Sequence, residues 1–390
     1  MAMTELEQIR EIWREASARG ESGVLASVVR IHGSAYRRPG ARLLLTSGGR
    51  RSGAVSGGCL EADLVKKAWW LTEGGKTALR RYDTTNEGEI TQEFGLGCNG
   101  VIYVLLERLE QSAIPILDAV EEVRVSRLPA ALAAVIGGSD QSPVRLGDRW
   151  LRRANGETAT NIASHQLVSL IEREADLALE QHSTRIVSWE AAREALDVFV
   201  EPIFPSLRLL IFGAGEDAVP MAKLAKFLGY EVIVLDGRSH FAHAGRFAAD
   251  RVIVNSESDP LAGIVPDQWT AAILMSHSYA QDLAALCVLA SHRLPYLGLL
   301  GPRKRTESLL SDAGLEPEQV LPPLHSPMGL DTGADGAEQI ALSVIAEIQA
   351  VVNQRAGGRL REKAGPLHPR SIGDAEREFF NRSVTCPLTD

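Results

Sequence analysis

Two of the four cysteines in this sequence lie in glycine-rich loops, where a thiol could meet a ligand. Cys59 follows a Ser-Gly-Gly turn and directly precedes a helical pattern over residues 60–71, and Cys98 lies within the loop 95–100. A helix N-terminus lowers the pKa of a thiol, and the resulting thiolate binds soft metals and acts as a nucleophile. The alternative is that each cysteine is a small buried residue that fills a turn.

The other two cysteines carry no such signal. Cys287 lies in an apolar helical stretch and is predicted to belong to the core, and Cys386 lies in the polar C-terminal segment. Four cysteines in 390 residues, without Cys-x-x-Cys or zinc-type Cys/His spacing, exclude a disulfide scaffold and a zinc domain. This usage indicates a reducing compartment, so we expect a cytoplasmic protein.

A basic loop follows the first predicted strand. It contains Arg37, Arg38 and Arg42, in a chain whose net charge is −9. Guanidinium groups bind phosphate through paired, charge-assisted hydrogen bonds. The loop therefore predicts a site for a phosphorylated small molecule, and the alternative is a solvated turn.

A glycine loop of the form Gly-x-Gly-x-x-Ala begins at Gly213, between an apolar run and a helical pattern. In such loops the first glycine permits the tight turn, and the second, here Gly215, lets the backbone approach a pyrophosphate. Asp236 follows the next apolar run, where an acid binds ribose hydroxyls. Glu216 and Asp217 place negative charge beside this phosphate site, which argues against tight pyrophosphate binding.

Further polar and glycine residues follow the later apolar runs. His277 comes after the fourth run, and Gly301 and Arg303 come after the fifth. The carboxyl ends of parallel strands form the usual ligand-binding edge of an open sheet. We therefore expect these residues to line one cleft with the glycine loop, although a lone histidine is more often structural.

The elements that must position these residues alternate between strand and helix from residue 207 onward. This alternation predicts a Rossmann-like parallel sheet with helices on both faces, so the fold class is α/β in this region. The predicted strands are 207–212, 231–235, 251–254, 271–275 and 296–299.

The first 205 residues predict an α+β domain with an internal duplication. The second copy keeps the strands and the helix but lacks both glycine-cysteine loops, and chance similarity is the alternative. The matching segments are 24–29 with 131–136, 40–45 with 147–152, 60–71 with 168–179, and 104–107 with 198–201. The predicted domains are 1–110, the degenerate copy or connecting region 111–205, the Rossmann-like domain 206–355 and a polar tail 356–390.

Composition excludes some classes of partner. The chain has 45% apolar and 23% charged residues, with 50 acidic against 41 basic side chains. An acidic protein does not favour nucleic acid or anionic lipid, and no stretch reaches the roughly 20 apolar residues of a membrane span. The absence of nucleophile-elbow, Walker A and zinc-protease motifs argues against an ordinary hydrolase or phosphotransferase.

Taken together, these motifs resemble the xanthine dehydrogenase accessory factor family, called XdhC/CoxI. In the first 110 residues the matching positions are Val28 to Arg30, Gly33-Ser34, Arg38 to Ala41, Gly53, Ser56 to Glu61 and Gly97-Cys98. In the C-terminal region they are Leu210 to Gly215, Asp236 to Arg238, Arg246-Phe247, Met275 to His277, Asp282, Gly298 to Gly301, Arg303 and Pro327 to Gly333.

The resemblance implies a chaperone that binds the molybdenum cofactor, protects it, and aids its sulfuration and its insertion into a hydroxylase. The implied cofactor is molybdopterin or its cytosine dinucleotide form. The implied partners are an apo-hydroxylase of the xanthine, aldehyde or carbon monoxide dehydrogenase type and a cysteine desulfurase; a homodimer is left open. Cys59 and Cys98 are then the candidate thiols at molybdenum or its sulfur, and Arg37, Arg38 and Arg42 the candidate phosphate ligands.

Two departures from the family pattern concern the predicted cleft. This chain has Glu216 and Asp217 where the family often has a histidine, and Gly237 where it often has proline. These changes leave open whether the Rossmann-like domain binds the nucleotide of the cofactor or a separate NAD(P). Two other functions also stay open: an NAD(P)-dependent oxidoreductase with His277 as proton donor, and a docking protein without a small ligand.

Overall fold

The computed structural model describes residues 3–83, 100–109, 116–138, 144–191 and 194–364. These residues form two compact units, with the boundary in the chain between Phe204 and Pro205. The first is called the N-terminal unit and the second the Rossmann unit. No helix in the described ranges is both long enough and apolar enough to cross a membrane.

The N-terminal unit contains two copies of one order of elements: helix, three strands, helix, two strands. The first copy consists of α1 (Met3–Ala18), β1 (Gly23–Gly33), β2 (Arg42–Thr46), β3 (Arg51–Gly53), α2 (Cys59–Leu71), β4 (Ala78–Asp83) and β5 (Gly100–Arg108). The second consists of α3 (Ile116–Ser126), β6 (Ala130–Gly137), β7 (Arg149–Arg152), β8 (Thr158–Thr160), α4 (His165–Glu180), β9 (Arg185–Ala191) and β10 (Glu194–Ile203).

Both copies form antiparallel sheets with equivalent strand orders, β3-β2-β1-β5-β4 and β8-β7-β6-β10-β9. The register agrees as well, because Leu25 lies opposite Glu107 in the first sheet and Leu132 lies opposite Glu201 in the second. These are the positions that the sequence comparison paired. The duplication predicted from the sequence is therefore present in the strand order and in the register.

Strand β1 is buried on both faces, which explains its nearly continuous apolar sequence. Val24, Ala26 and Val28 belong to the core that includes α2. Leu25 and Val29 belong to cores that include residues of the second sheet. Because side chains alternate along a strand, the two sheets pack face to face, with α2 outside one and α4 outside the other.

The Rossmann unit is a parallel sheet with helices on both faces, as predicted. Its elements are β11 (Arg208–Phe212), α5 (Ala218–Phe227), β12 (Glu231–Leu235), β13 (Arg251–Ile253), β14 (Thr270–Leu274), α6 (Tyr279–Leu289), β15 (Tyr296–Leu299), α7 (Arg303–Ala313), β16 (Leu324–His325) and α8 (Ala337–Val352). The strand order is β13-β12-β11-β14-β15-β16. Helices α5 and α8 cover one face, and α6 and α7 cover the other. The short sixth strand is not predicted by the sequence.

The prediction that Cys287 belongs to the core is wrong. This cysteine is exposed on α6, whereas Ala285, Leu286 and Leu289 of the same helix are buried. Apolar residues occupy both sides of α6, so the 3.6-residue period does not show which side meets the sheet.

Candidate functional site

The glycine loop joins β11 to α5 at the carboxyl edge of the Rossmann sheet, next to the end of β14. Gly213 has φ of 126°, and a Cβ atom at this position would lie 2.5 Å from the carbonyl oxygen of Met275. Only glycine tolerates both the left-handed backbone and this close approach of two strands. The loop is thus fixed where the strand order reverses, which is the ligand-binding position of open α/β sheets.

Asp236, at the end of β12, is completely buried and holds the glycine loop. Its carboxylate accepts hydrogen bonds from the backbone N–H of Ala214 (2.8 Å) and from Nε and Nη2 of Arg238 (2.9 and 2.7 Å). Burial raises the pKa of Asp236, but the hydrogen bonds from Arg238 and Ala214 outweigh this effect and lower it. The carboxylate is therefore occupied by protein groups, and the ribose-binding role predicted for Asp236 does not fit this placement.

Two acidic side chains of the loop are paired with basic groups on either side. Nη2 of Arg246 lies 2.6 Å from the Glu216 carboxylate, and its Nη1 donates to the carbonyl oxygen of Ala214 (2.9 Å). On the other side, Nε2 of His277 lies 2.8 Å from the Asp217 carboxylate. Both carboxylates thus have a hydrogen-bonding partner beside the loop, and Arg246 offsets the charge of Glu216.

His277 lies in a backbone turn that the hydrogen bonds of Ser276 fix in place. Its φ is 57°, an uncommon value for a residue with a side chain, and its imidazole is 61% exposed. The carbonyl oxygen of Ser276 accepts from Arg238 (2.9 Å), and the Ser276 hydroxyl donates to Asp282 (2.6 Å). Arg305 of α7 in turn lies 2.7 Å from Asp282. These contacts stabilise the turn that exposes His277.

The remaining predicted residues of this edge lie where β15 passes into α7. Gly301 has φ of 119°, and a Cβ there would lie 3.1 Å from Cδ of Arg305. Arg303 is exposed at the first position of α7. The predicted cleft residues therefore do share the carboxyl edge of the sheet. Sequence reasoning gave no role to Arg238, Arg246 and Arg305, although the first two lie in motifs of the family resemblance.

The edge does not fit NAD(P), the cofactor that the fold suggests. The acid that would bind ribose is buried against Arg238, and the Asp217 carboxylate lies over Gly215, where a Cβ would be 2.6 Å from its Oδ1. A pyrophosphate that approached the backbone at Gly215 would meet the Asp217 carboxylate first. NAD(P) is therefore not a suitable ligand for this edge.

In the N-terminal unit, the turn before Cys59 is organised by one carboxylate. Glu61 accepts hydrogen bonds from the backbone N–H groups of Val55 (3.0 Å), Ser56 (2.7 Å) and Gly58 (3.0 Å). Burial raises the pKa of Glu61, but the hydrogen bonds from Ser56 and Val55 more than offset this and hold the pKa below its ordinary value of 4.5. The carboxylate thereby fixes the turn that leads into α2.

Cys59 is the first residue of α2, as predicted. Gly58 before it has φ of 116°, in the left-handed region that favours glycine. The side chain of Cys59 and the whole of Cys98 lie outside the described part of the chain. Within that part, no group of three or more His, Cys, Asp or Glu residues is arranged to hold a metal ion.

The three arginines of the basic loop have different surroundings. Arg42 is only 2% exposed and forms an ion pair with Glu201 on the second sheet. Arg37 pairs with Glu5 of α1, and Arg38 is exposed. The predicted phosphate-binding role of Arg42 does not fit, because its guanidinium is buried between the sheets. Sequence inspection missed this pairing because the two residues lie far apart in the chain.

Known proteins resemble this chain in sequence over as much as 86% of its length. The families described as "XdhC and CoxI family" and "XdhC Rossmann domain" match residues 16–83 and 209–348. A Bacillus subtilis protein, named as a probable subunit of xanthine dehydrogenase, is 33% identical over 338 residues, 84% of this chain and 92% of that protein. The Escherichia coli protein named molybdenum cofactor insertion chaperone PaoD is 28% identical over 341 residues, 86% of each chain.

A solved structure agrees with these relatives. A crystal structure described as a xanthine dehydrogenase from Bacillus halodurans has a TM-score of 0.73 and 26% sequence identity, covering 91% of this chain and 98% of that one. The sequence matches lie in both units, and the similarity to the Bacillus subtilis relative covers most of that protein. The chain belongs to the XdhC and CoxI family.

Proposed function

We propose that this protein binds the molybdenum cofactor as cargo and assists its insertion into a molybdenum hydroxylase. Similarity to a relative named as a molybdenum cofactor insertion chaperone, over 86% of both chains, supports this role. The structural observation that carries the proposal is the turn before Cys59, which Glu61 fixes so that a cysteine opens α2. A thiolate at a helix N-terminus is a suitable soft ligand for molybdenum or its sulfur.

The finer parts of the proposal follow from the same chemistry. The cargo is molybdopterin or its cytosine dinucleotide form, and the recipient is an apo-hydroxylase of the xanthine, aldehyde or carbon monoxide dehydrogenase type. Sulfuration of the bound cofactor needs a sulfur donor, for which a cysteine desulfurase is suited. We place these steps in the cytoplasm, where thiols stay reduced, and a homodimer would present two such sites.

In the Rossmann unit, we propose that the phosphate or nucleotide part of the cargo contacts the carboxyl edge. His277 and Arg303 are exposed there, and Gly301 belongs to the adjoining β15–α7 loop. The phosphate would therefore contact this end of the edge and not Gly215, which the Asp217 carboxylate covers. Calorimetric titration with cytidine diphosphate tests this role, and His277→Ala and Arg303→Gln should each weaken the binding. If the wild type shows no binding below millimolar concentration, the edge does not recognise the nucleotide by itself.

The cysteine variants test the main proposal. Cys59→Ser and Cys98→Ser should fold normally but lose bound molybdenum and pterin when co-expressed with the cofactor pathway and purified without oxygen. Cys287→Ser is the matched control, because it removes an exposed thiol from the other unit. Metal and pterin content per chain and the thermal midpoint are measured for all three variants.

If both loop variants retain full molybdenum, the thiols do not hold the cargo and the basic loop at Arg38 becomes the better candidate. A thermal midpoint many degrees below that of the wild type would identify the cysteine as a packing residue. Wild-type protein without molybdenum and pterin, but with dehydrogenase turnover, would favour the oxidoreductase alternative.

A further inference from the structure

An aromatic side chain of the N-terminal unit is exposed to solvent beside the turn that leads to Cys59. Tyr36, in the loop between β1 and β2, is 71% exposed. Its ring atoms Cγ and Cδ1 lie 3.9 and 4.0 Å from the position that a Cβ of Gly57 would occupy. At Gly58, no atom of the described residues, apart from its chain neighbours, lies within 4 Å of the corresponding position. The ring therefore lies beside two glycines, whose backbone carries no side chain.

Glu5 links the loop that contains Tyr36 to the loop that contains Gly57. The carboxylate of Glu5 pairs with Arg37, next to Tyr36, and accepts a hydrogen bond from the backbone N–H of Ala54 (3.3 Å). Glu61 holds the rest of the second loop through the contacts described above. The two loops thus keep a defined relative position before any ligand binds, which lowers the entropic cost of binding.

The chemistry of this arrangement suits a flat, conjugated ligand. A tyrosine ring offers a large contact area and loses little conformational entropy, because it has only two side-chain torsions. Aromatic faces attract other ring systems in offset-stacked geometry. Glycines without Cβ atoms let a flat ring approach the backbone closely. The pterin part of the molybdenum cofactor is such a ring system.

We propose that Tyr36 is a stacking platform for the pterin ring of the cargo, with Gly57 and Gly58 as the adjoining backbone surface. This inference rests on the proposed function and deepens it, because it assigns the part of the cargo that this loop recognises. Tyr36 then binds the ring, while the thiol of Cys59 is left for the metal or its sulfur.

The second copy of the fold lacks this combination. Residues 138–143, which follow β6 as the Tyr36 loop follows β1, read Gly-Ser-Asp-Gln-Ser-Pro and contain no aromatic residue. Helix α4 begins after Ser164 and not after a glycine pair. Within the described residues, an exposed aromatic ring beside a glycine pair at a helix start thus occurs only in the copy that also carries Cys59, which is expected if they serve one ligand.

Binding of 6-hydroxymethylpterin, which has neither metal nor phosphate, tests the platform directly. The affinities of the wild type, Tyr36→Phe and Tyr36→Leu are measured by titration. Loss of ring stacking typically weakens binding about tenfold, so we expect a shift of that size for Tyr36→Leu. Tyr36→Phe keeps the ring and should bind as the wild type does.

Trp70→Leu is the matched control. Trp70 is also an exposed aromatic residue, at 55%, but it lies near the far end of α2, about 16 Å along the helix from Cys59 at 1.5 Å per residue. Its removal should leave the affinity for the pterin unchanged. Equal weakening by Trp70→Leu and Tyr36→Leu would mean that the pterin binds aromatic surface without a defined platform, and would overturn the inference.

The remaining outcomes separate this inference from the proposed function. If Tyr36→Leu binds the pterin as tightly as the wild type, or if the wild type binds none, the platform is wrong. Should Tyr36→Leu also retain full cofactor after co-expression while Cys59→Ser loses it, the chaperone role stands without the platform. Wild-type protein that never carries molybdenum and pterin would remove the proposed function itself.

Discussion

The two copies within the N-terminal unit share a framework and differ in their loops. Both have the same strand order and the same register between their central strands. In the first copy α2 starts after a glycine pair and with a cysteine, and 16 residues separate β4 from β5. In the second copy α4 starts after a serine cap, and only residues 192–193 separate β9 from β10.

The features shared by both copies are the ones that the fold requires. Each copy forms five strands and a helix outside them with a different kind of loop, so the second copy forms this framework without glycine-cysteine loops. A feature that one copy has and the other lacks is better explained by ligand binding than by stability. The comparison also supplies internal controls, because equivalent positions can be altered in both copies.

The largest expected effect concerns what the copies share. Arg42 pairs with Glu201, and the equivalent Arg149 of the second copy pairs with Glu107. Removal of one partner from a buried pair leaves an uncompensated charge and costs about 3–5 kcal/mol. We therefore expect Glu201→Ala to lower the free energy of unfolding in urea by that amount.

The same measurement on Glu107→Ala decides whether the copies are energetically equivalent. A cost as large as that of Glu201→Ala would support the symmetry, since both arginines are buried. The double variant Arg42→Met with Glu201→Leu should recover most of the loss, because apolar residues of similar size can replace a buried pair. If Glu201→Ala leaves the stability unchanged, the pairs do not join the sheets.

A smaller effect is expected at the loop that only the first copy has. Glu61→Gln replaces one of the two accepting oxygens by an NH2 group, so at least one backbone N–H of the turn loses its acceptor, which costs about 1–2 kcal/mol after allowance for partial exposure. The variant should also lose cargo, because the turn before Cys59 is no longer fixed. Urea unfolding and molybdenum content measure the two effects separately, and full cargo in this variant would contradict the role given to the turn.

The effect of Glu61→Gln should depend on pH. The pKa of Glu61 is lower in the folded protein than its ordinary value of 4.5. A lowered carboxyl pKa stabilises the folded state above the unfolded pKa, and this stabilisation is lost as the pH falls through the folded pKa. The difference in unfolding free energy between wild type and variant should be full at pH 7 and shrink below about pH 4.5.

The smallest effect is expected at the start of α4. The side chain of Ser164 accepts a hydrogen bond from the backbone N–H of Leu167 at 3.3 Å. Ser164→Ala removes this N-cap and should cost about 1 kcal/mol. Cargo retention should stay at the wild-type level, since this copy has no glycine-cysteine loop. Loss of cargo without loss of stability would show that the second copy takes part in binding.

Much of the architecture followed from local patterns in the sequence. Continuous apolar runs alternating with helical periods predicted the parallel sheet, and the glycine loop was placed correctly between β11 and α5. The duplication was visible because paired strands carry similar residues at matching positions. These predictions succeeded because they depend on neighbouring residues, through side-chain alternation and the backbone freedom of glycine.

Local sequence patterns are therefore sufficient to predict the elements, their order and the loops that could carry chemistry. Which charged groups remain available to a ligand depends instead on packing between residues that are distant in the chain. The guanidinium of Arg42 forms an ion pair with Glu201, 159 residues away. The carboxylate of Asp236 accepts hydrogen bonds from Arg238 and from the glycine loop. Burial of an unpaired charge is energetically costly, so a buried charged group forms an ion pair or hydrogen bonds. Its partner depends on which residues pack beside it and not on their spacing in the sequence.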